Sequence, residues 1–412
     1  MKRKTVCAVF ACSAISGFLS CGGPAQPPAP PVSQWAPTVQ RVESPAGPAS
    51  AQPFLTASPR GAILSWFENI QGQTILKFAS RTGEGWSASR KIVSGEDFFL
   101  NWADVPSVVR MSSGTLVAHW LRRTSPRGAG YDVEIATSPD DGQTWTKPIS
   151  PHHDGTKTQH GFVSLFEMTG GATPLGLVWL DGRLTTPAAE PDDDAVGEMT
   201  LRSARYDAAW RQQADDAVDL RVCDCCPTAA ASTPDGIVVA YRNRSADEIR
   251  DIYVTRLVAG KWSEPSAVHN DGWKIDGCPV NGPAVSASGK DVAVAWFAAP
   301  QDQGHAFVAF SSDSGRTFHD PIRMDDEGSF GRVGVALMPD GSAVVSWIEL
   351  ANRQATFKIR RVGRDGSRSP AVTVVDVGAR RGTSYPRMVR NDRELVLAWT
   401  GDDSRVQTAV VR

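Results

Sequence analysis

From residue 53 onward the chain alternates short apolar runs with turn residues, and one unit recurs. An apolar strand enters a Gly-containing turn. A second strand of β-branched and apolar residues follows and ends on Trp or Tyr. The second strands are residues 62–66, 115–120, 175–179, 237–241, 292–296, 343–347 and 395–399, closing on Trp66, Trp120, Trp179, Tyr241, Trp296, Trp347 and Trp399. Successive aromatics stand 51 to 62 residues apart. The Pro and Gly of residues 58–61, 233–236 and 338–341, with Asp235 and Asp340 in the last two, are hairpin turn chemistry. Strands apolar at nearly every position fit sheets covered on both faces by neighbouring sheets. A period near fifty residues with several short strands per unit predicts an all-β propeller of four-stranded blades. Seven blades are favoured; six is the alternative, with one repeat an insertion. After Trp399 only residues 405–411 remain, enough for one strand. Residues 36–43 are expected to supply the missing outer strand, which closes the ring and removes exposed edges. The propeller then spans 36–412, with blades from residue 53. No helical period follows residue 50.

Two stretches share the pattern S-x-D-x-G-x-T-aromatic: Ser138, Asp140, Gly142, Thr144 and Trp145, then Ser311, Asp313, Gly315, Thr317 and Phe318. The Asp carboxylate can accept backbone N–H groups of its own turn, and the Ser and Thr hydroxyls add more. Gly takes a backbone angle that a side chain disfavours. The aromatic leaves the turn and packs into apolar surface. These residues resemble the Asp-box (BNR repeat) of the sialidase superfamily, whose members are β-propellers. The resemblance implies a glycan-directed protein, an exo-glycosidase of the sialidase kind if it is an enzyme. The motif's bonds are local, so its role is a structural fastener. Trp86, Trp210 and Trp262 occupy matching places in other blades.

Composition adds the compartment. Lys2, Arg3 and Lys4 precede an apolar, small-residue run that ends at Cys21, so residues 1–21 read as an export signal. The residues before Cys21 resemble a bacterial lipobox, which implies lipidation of Cys21 and anchoring to a membrane. Gly22 after that cysteine implies sorting outward in a two-membrane cell, to the outer membrane or the periplasmic face. Residues 22–50, rich in Pro and Ala, read as a tether that cannot bury a core. The formal net charge is −2 and no basic block occurs, which excludes nucleic acid as a partner class. A glycan or an envelope protein remains.

Strand order decides which connections share an end of the ring. Loops joining second to third strands, and those joining one blade to the next, meet at one end; the Asp-box turns lie at the other. The first end is rich in chemistry. It gathers Asp104, His152, His153, Asp154 and His160, the cysteines Cys223, Cys225, Cys226 and Cys278, then Arg123, Asp181, Arg183, Arg242, Arg244, Glu248, Arg250 and Asp251, with Arg380, Arg381 and Tyr385 from the last blade. Converging guanidinium groups make a clamp for carboxylate or phosphate. Arg123, Arg183 and Arg244 occupy equivalent positions of three consecutive blades, and Arg242 and Arg250 flank the last of them. The alternative is that these arginines pair with Asp181, Glu248 and Asp251 and pin loops. The family's Arg-Ile-Pro motif has no counterpart near the N-terminus, where Arg41-Val42-Glu43 falls in the expected closing strand. Asp104, Tyr385 and Glu248 are the candidate catalytic groups. Four cysteines in an exported fold point to disulfides. One bridge would join the 223–226 cluster to Cys278, and the second would lie inside the cluster, with Cys223–Cys226 at least as favoured as Cys225–Cys226. The competing reading is copper or zinc held by thiolates together with His152, His153 or His160.

Overall fold

The computed structural model describes Met1 and residues 31–126, 128–168, 174–186, 196–378, 385–392 and 394–412. The proposed lipidation site Cys21 and the arginines Arg380 and Arg381 lie outside these residues.

Seven antiparallel sheets stand around a central axis and form a seven-bladed β-propeller. Blade one is Ser50–Thr56, Ile63–Ile70 and Gln73–Thr82, with Gly85–Trp86 and Arg90–Gly95 sharing the outer edge. Blade two is Ser107–Arg110, Leu116–Arg123 and Tyr131–Ser138, its outer edge reduced to a bridge between Ile149 and Ile135. Blade three is His160–Glu167, Leu175–Thr185, Gly197–Tyr206 and Gln212–Asp219. Blade four is Ala229–Thr233, Gly236–Arg242 and Ile252–Val258, edged by Lys261–Trp262 and Ser266–Ala267. Blade five is Ala284–Ser288, Asp291–Ala298, His305–Ser311 and Ile322–Arg323. Blade six is Ser329–Leu337, Ala343–Ala351, Gln354–Val362 and Val372–Val377. Blade seven is Arg387–Asn391, Glu394–Thr400 and Val406–Val411, completed by Val39–Val42 from the N-terminal side. Val39 pairs with Val411 and Val42 with Thr408, so the ring is closed by chain ends as the short last repeat predicts. Among the described residues the only helical turns are two three-residue 3₁₀ segments, and no helix is long and apolar enough to cross a membrane.

The second strands form the core because both of their faces meet a neighbouring blade. Trp66, Trp120, Trp179, Tyr241, Trp296, Trp347 and Trp399 are each no more than 1% exposed. Burying one such ring contributes about 4–6 kcal/mol at roughly 25 cal/mol per Å². Six of the seven aromatics hand their polar hydrogen to a carboxylate: Trp66 to Glu68, Trp120 to Glu134, Trp179 to Asp181, Tyr241 to Asp219, Trp296 to Asp271 and Trp347 to Glu349, at 2.6–2.9 Å. In three blades the acid stands two residues after the Trp on the same strand. A buried indole N–H without an acceptor would carry the full desolvation cost, so this pairing is part of the blade.

The two Asp-boxes are near-superposable fasteners. Asp140 Oδ1 accepts the Ser138 hydroxyl and the N–H groups of Gln143 and Thr144, and its Oδ2 accepts the Thr144 hydroxyl. Asp313 repeats every one of these bonds with Ser311, Arg316 and Thr317. Gly142 and Gly315 take φ of +86° and +74° and press on the preceding blade. A Cβ at Gly142 would sit 2.4 Å from the Phe78 ring, and one at Gly315 would sit 3.0 Å from Val238. The boxes thus tie blade two to blade one and blade five to blade four, at the end of the ring away from the candidate chemistry.

Candidate functional site

The inner strands of all seven blades wall an axial cavity of about 420 Å³. At the end bearing the interblade connections its wall carries Phe54, Tyr385 and Arg387. The Arg387 guanidinium lies between two rings, 4.7 Å from Phe54 and 4.4 Å from Tyr385. The Arg332 guanidinium sits 4.7 Å over Trp102, whose ring stacks on Tyr385 at 6.4 Å. Arg332 faces this mouth because a bulge in the inner strand of blade six gives it φ of +54°. Bulges at the same height in blades one and three put Gln52 and Phe162 in the same left-handed region. Such bulges re-aim side chains at the rims of closed sheets.

Asp104 enters from the connection between blades one and two. Its Oδ1 accepts the Phe162 N–H at 2.8 Å, while its Oδ2 is buried without a hydrogen-bond partner. Burial pushes this carboxyl up to about 7, against the Phe162 bond and the Arg387 charge. The close fit needs the glycine beside it, since a Cβ at Gly161 would lie 2.1 Å from Asp104 Oδ2. Burial likewise raises the Tyr385 phenol, with Arg387, Arg332 and Arg242 pulling the other way, and lowers Arg387 to about 10. The Arg387 charge acts on both Asp104 and Tyr385, with Tyr385 on the cavity wall and Asp104 buried off it. Arg387 and Arg332, which stand at the same opening, were not foreseen; the signals were the Tyr385-Pro386-Arg387 entry to an inner strand and the Gly-rich start of another.

Of the arginines expected to converge, Arg242 stands close enough to act on Tyr385 but is buried, and the others are held by partners of their own. Arg183 grips Asp181 with two nitrogens at 2.7 and 2.8 Å, and Asp181 also accepts the Trp179 indole. Arg244 and Arg250 both bind Glu248, and Arg250 also reaches Asp224. Arg244 first, then Arg250, holds Glu248 down near 2, so this residue is a fixed anion at the hub of a loop. Arg242 is fully buried and donates to the carbonyls of Asn281, Arg250 and Phe297. Arg123 lies 5.3 Å over the Phe99 ring. Ion pairs within and between neighbouring loops account for Arg183, Arg244 and Arg250, and backbone anchoring accounts for Arg242.

The cysteines form two disulfides: Cys223–Cys226 lies within the connection entering blade four, and Cys225–Cys278 staples that connection to the one leaving it. The histidines gather separately. His152 and His160 stack in parallel at 3.8 Å between carboxylates. Asp132 Oδ1 is 3.4 Å from His160 Nδ1 and 3.8 Å from His152 Nε2. On the far side Asp154 Oδ2 is 3.2 Å from His160 Nε2 and 3.5 Å from His152 Nδ1. Thr156 fixes the other Asp154 oxygen. Burial, then the neighbouring His160, lowers His152 to about 4. His160 is raised despite its burial, because Asp132, Asp181 and Asp154 outweigh desolvation. His153 points away and is exposed. Among the described residues, the groups of potential metal donors keep sulfur apart from imidazole.

A closed ring of seven antiparallel blades fastened by Asp-boxes defines the class, a BNR-type β-propeller. The BNR repeat-like domain family matches residues 71–396, and the chain belongs to that family. Among solved structures it is similar to the polysaccharide lyase Uly1, at 8% identity over 88% of this chain and 89% of the lyase, with a TM-score of 0.51. The endosialidase of phage phi92 aligns at 10% identity over 91% of this chain and 68% of that one, with a TM-score of 0.45. At these identities the likeness is one of fold. No curated protein sequence matches the chain.

Proposed function

We propose that the protein binds an anionic glycan at the axial mouth on the side of the interblade connections. The observation that carries this reading is the Arg387 guanidinium, held between the Phe54 and Tyr385 rings on the cavity wall, with the Asp104 carboxyl, pushed up to about 7, buried within reach of its charge. A guanidinium recognises a carboxylate or sulfate by paired hydrogen bonds. Trp102, Tyr385 and Phe54 offer the apolar faces on which sugar rings pack. The shared fold with a polysaccharide lyase supports the same ligand class. In its finer form the proposal is an exo-glycosidase of the sialidase kind. Asp104, carrying a proton near pH 7, would then protonate the departing glycosidic oxygen, as a general acid must. One feature favours a second reading, binding without turnover: Asp104 and Tyr385 are only 3% and 4% exposed.

The test is a panel of neutral, uronate-bearing and sialic-acid-bearing oligosaccharides, read by calorimetry for binding and by reducing-end release for turnover. Binding confined to the anionic members, weakened by Arg387→Ala, is the expected result. Absence of binding across the panel would sink the reading; binding without release would select the non-catalytic form. We also propose that the propeller is tethered to the bacterial envelope by a lipid on Cys21, a reading supported by the basic and apolar residues before it. Metabolic labelling with a fatty-acid probe should be lost in Cys21→Ser; unchanged labelling refutes the anchor.

A further inference from the structure

We infer that Asp132, His152 and His160 form a binding site for a divalent transition-metal cation, with Asp154 as the carboxylate that orients both imidazoles. The site lies where blades two and three meet, apart from the axial mouth and the disulfides. Its donors are Asp132 Oδ1, His152 Nε2 and His160 Nδ1, which face one another.

Four observations point to a cation. The first is orphaned polarity. His160 is completely buried, and its ring nitrogens meet Asp132 Oδ1 at 3.4 Å and Asp154 Oδ2 at 3.2 Å as ion-pair contacts, with no well-formed hydrogen bond at any of the four atoms. Buried polar atoms without a formed hydrogen bond are rare, and four that face one another in one cluster leave room for a shared cation. The second is spacing. The carboxylate oxygen stands 3.4 and 3.8 Å from the two nitrogens, and a tetrahedral zinc with bonds of about 2.0–2.1 Å sets its donors roughly 3.3 Å apart. The two rings stack in parallel 3.8 Å apart, so one imidazole must turn out of the stack to bring both in-plane lone pairs onto one cation.

The third is tautomer. The Val133 N–H donates to His152 Nε2 at 3.2 Å, so that nitrogen carries a lone pair and the ring proton sits on Nδ1, facing Asp154. His160 presents Nε2 to the same Asp154 oxygen. One carboxylate behind two imidazoles holds both rings with their other nitrogens turned to Asp132, the arrangement that supports metal-bound histidines. A cation would take over the His152 lone pair that the Val133 N–H now uses. The fourth is charge. Asp132, Asp154 and Asp181 surround the rings, and Arg183 is the guanidinium that answers them. A divalent cation at the Asp132 side neutralises this excess without adding a like charge beside Arg183.

Two imidazoles and one carboxylate, with a fourth position open toward solvent beside the two-fifths-exposed Asp132 side chain, suit zinc best among abundant cations. Asp181 is not a donor, because the Trp179 indole and Arg183 occupy its oxygens.

The experiment strips the folded, oxidised protein with a chelator, then titrates it with zinc, or with cobalt as an optical probe. Bound metal is counted by mass spectrometry of the elements. One equivalent is expected, with the cobalt spectrum of a nitrogen–oxygen site. Asp132→Asn should lower affinity tenfold or more, and Asp154→Asn by about ten- to a hundredfold; His153→Ala, in an exposed neighbour, should leave it unchanged. Asp132 lies at the surface of the cluster, so its variant reports on binding even if His160→Gln does not fold. No stoichiometric metal in the folded wild type overturns the inference. So does metal retained undiminished in Asp132→Asn, which would place it elsewhere, the cysteines included.

Discussion

Asp104 is held protonated by burial, and this has a measurable cost in stability. In the folded chain its carboxyl sits near 7 against an ordinary value of 3.8. Between those values the unfolded chain has released the proton and the folded chain retains it. The unfolded state therefore binds fewer protons, and stability falls as pH rises. The loss begins near pH 4 and is complete just above 7. A difference of roughly three units at about 1.4 kcal/mol each amounts to about 4 kcal/mol. The residue is 3% exposed, so solvent screening reduces this little. Asp104→Asn removes the titration while its amide oxygen can still accept the Phe162 N–H. Urea unfolding followed by tryptophan fluorescence should give the variant no advantage near pH 4 and a steadily growing one above it. The advantage should level off at about 4 kcal/mol near pH 8. A difference that stays flat with pH would refute the reasoning, because it would mean that the Asp104 carboxyl titrates normally. Structural networks and reactive sites both shift carboxyl groups this way, and the Arg387 charge beside Asp104 is what the proposed acid role rests on.

Other expectations follow from the same contacts. Glu349, 2% exposed, accepts from the Trp347 indole and from Lys358 at 3.0 Å; Glu349→Ala should cost about 3–5 kcal/mol in urea unfolding, and Glu349→Gln clearly less, since the indole keeps an acceptor. The Cys225–Cys278 bridge closes 53 residues, so Cys225→Ser with Cys278→Ser should cost about 4 kcal/mol by the loop-entropy estimate. Removing the residues up to Val42 strips the outer strand from blade seven and exposes the Val406–Val411 edge; a lower melting temperature with self-association in ultracentrifugation is expected, and an unchanged monomer would contradict the closure.

The architecture was legible because its signal is local and repeated. A Trp ending an apolar strand recurs with every blade, and the short last repeat announces the borrowed strand Val39–Val42. The acid partners of those tryptophans are equally local, at Glu68, Asp181 and Glu349, yet of these the sequence reading singles out only Asp181, as a loop residue, although its carboxylate accepts the Trp179 indole. The arginines misled for a geometric reason. Arg123, Arg183 and Arg244 hold equivalent places in successive blades, but equivalent places on a ring do not converge. Arg183 and Arg244 satisfy themselves within their own blades. The arginines at the mouth, Arg332 and Arg387, come from inner strands, and a left-handed bulge aims one of them. Nothing in composition marks such a bulge. The histidines and cysteines share an end of the ring, as strand order predicts, but backbone pairing sends the imidazoles to Asp132 and Asp154 and the sulfurs to each other.

The most direct test of the account compares two arginine variants for binding to one uronate oligosaccharide by calorimetry. Arg387→Ala should weaken binding tenfold or more, the scale of losing a charge-assisted contact. Arg244→Ala, which touches only the Glu248 hub, should leave affinity within about twofold. The reverse pattern, with Arg244 decisive and Arg387 indifferent, would contradict a ligand site on the axis of the ring.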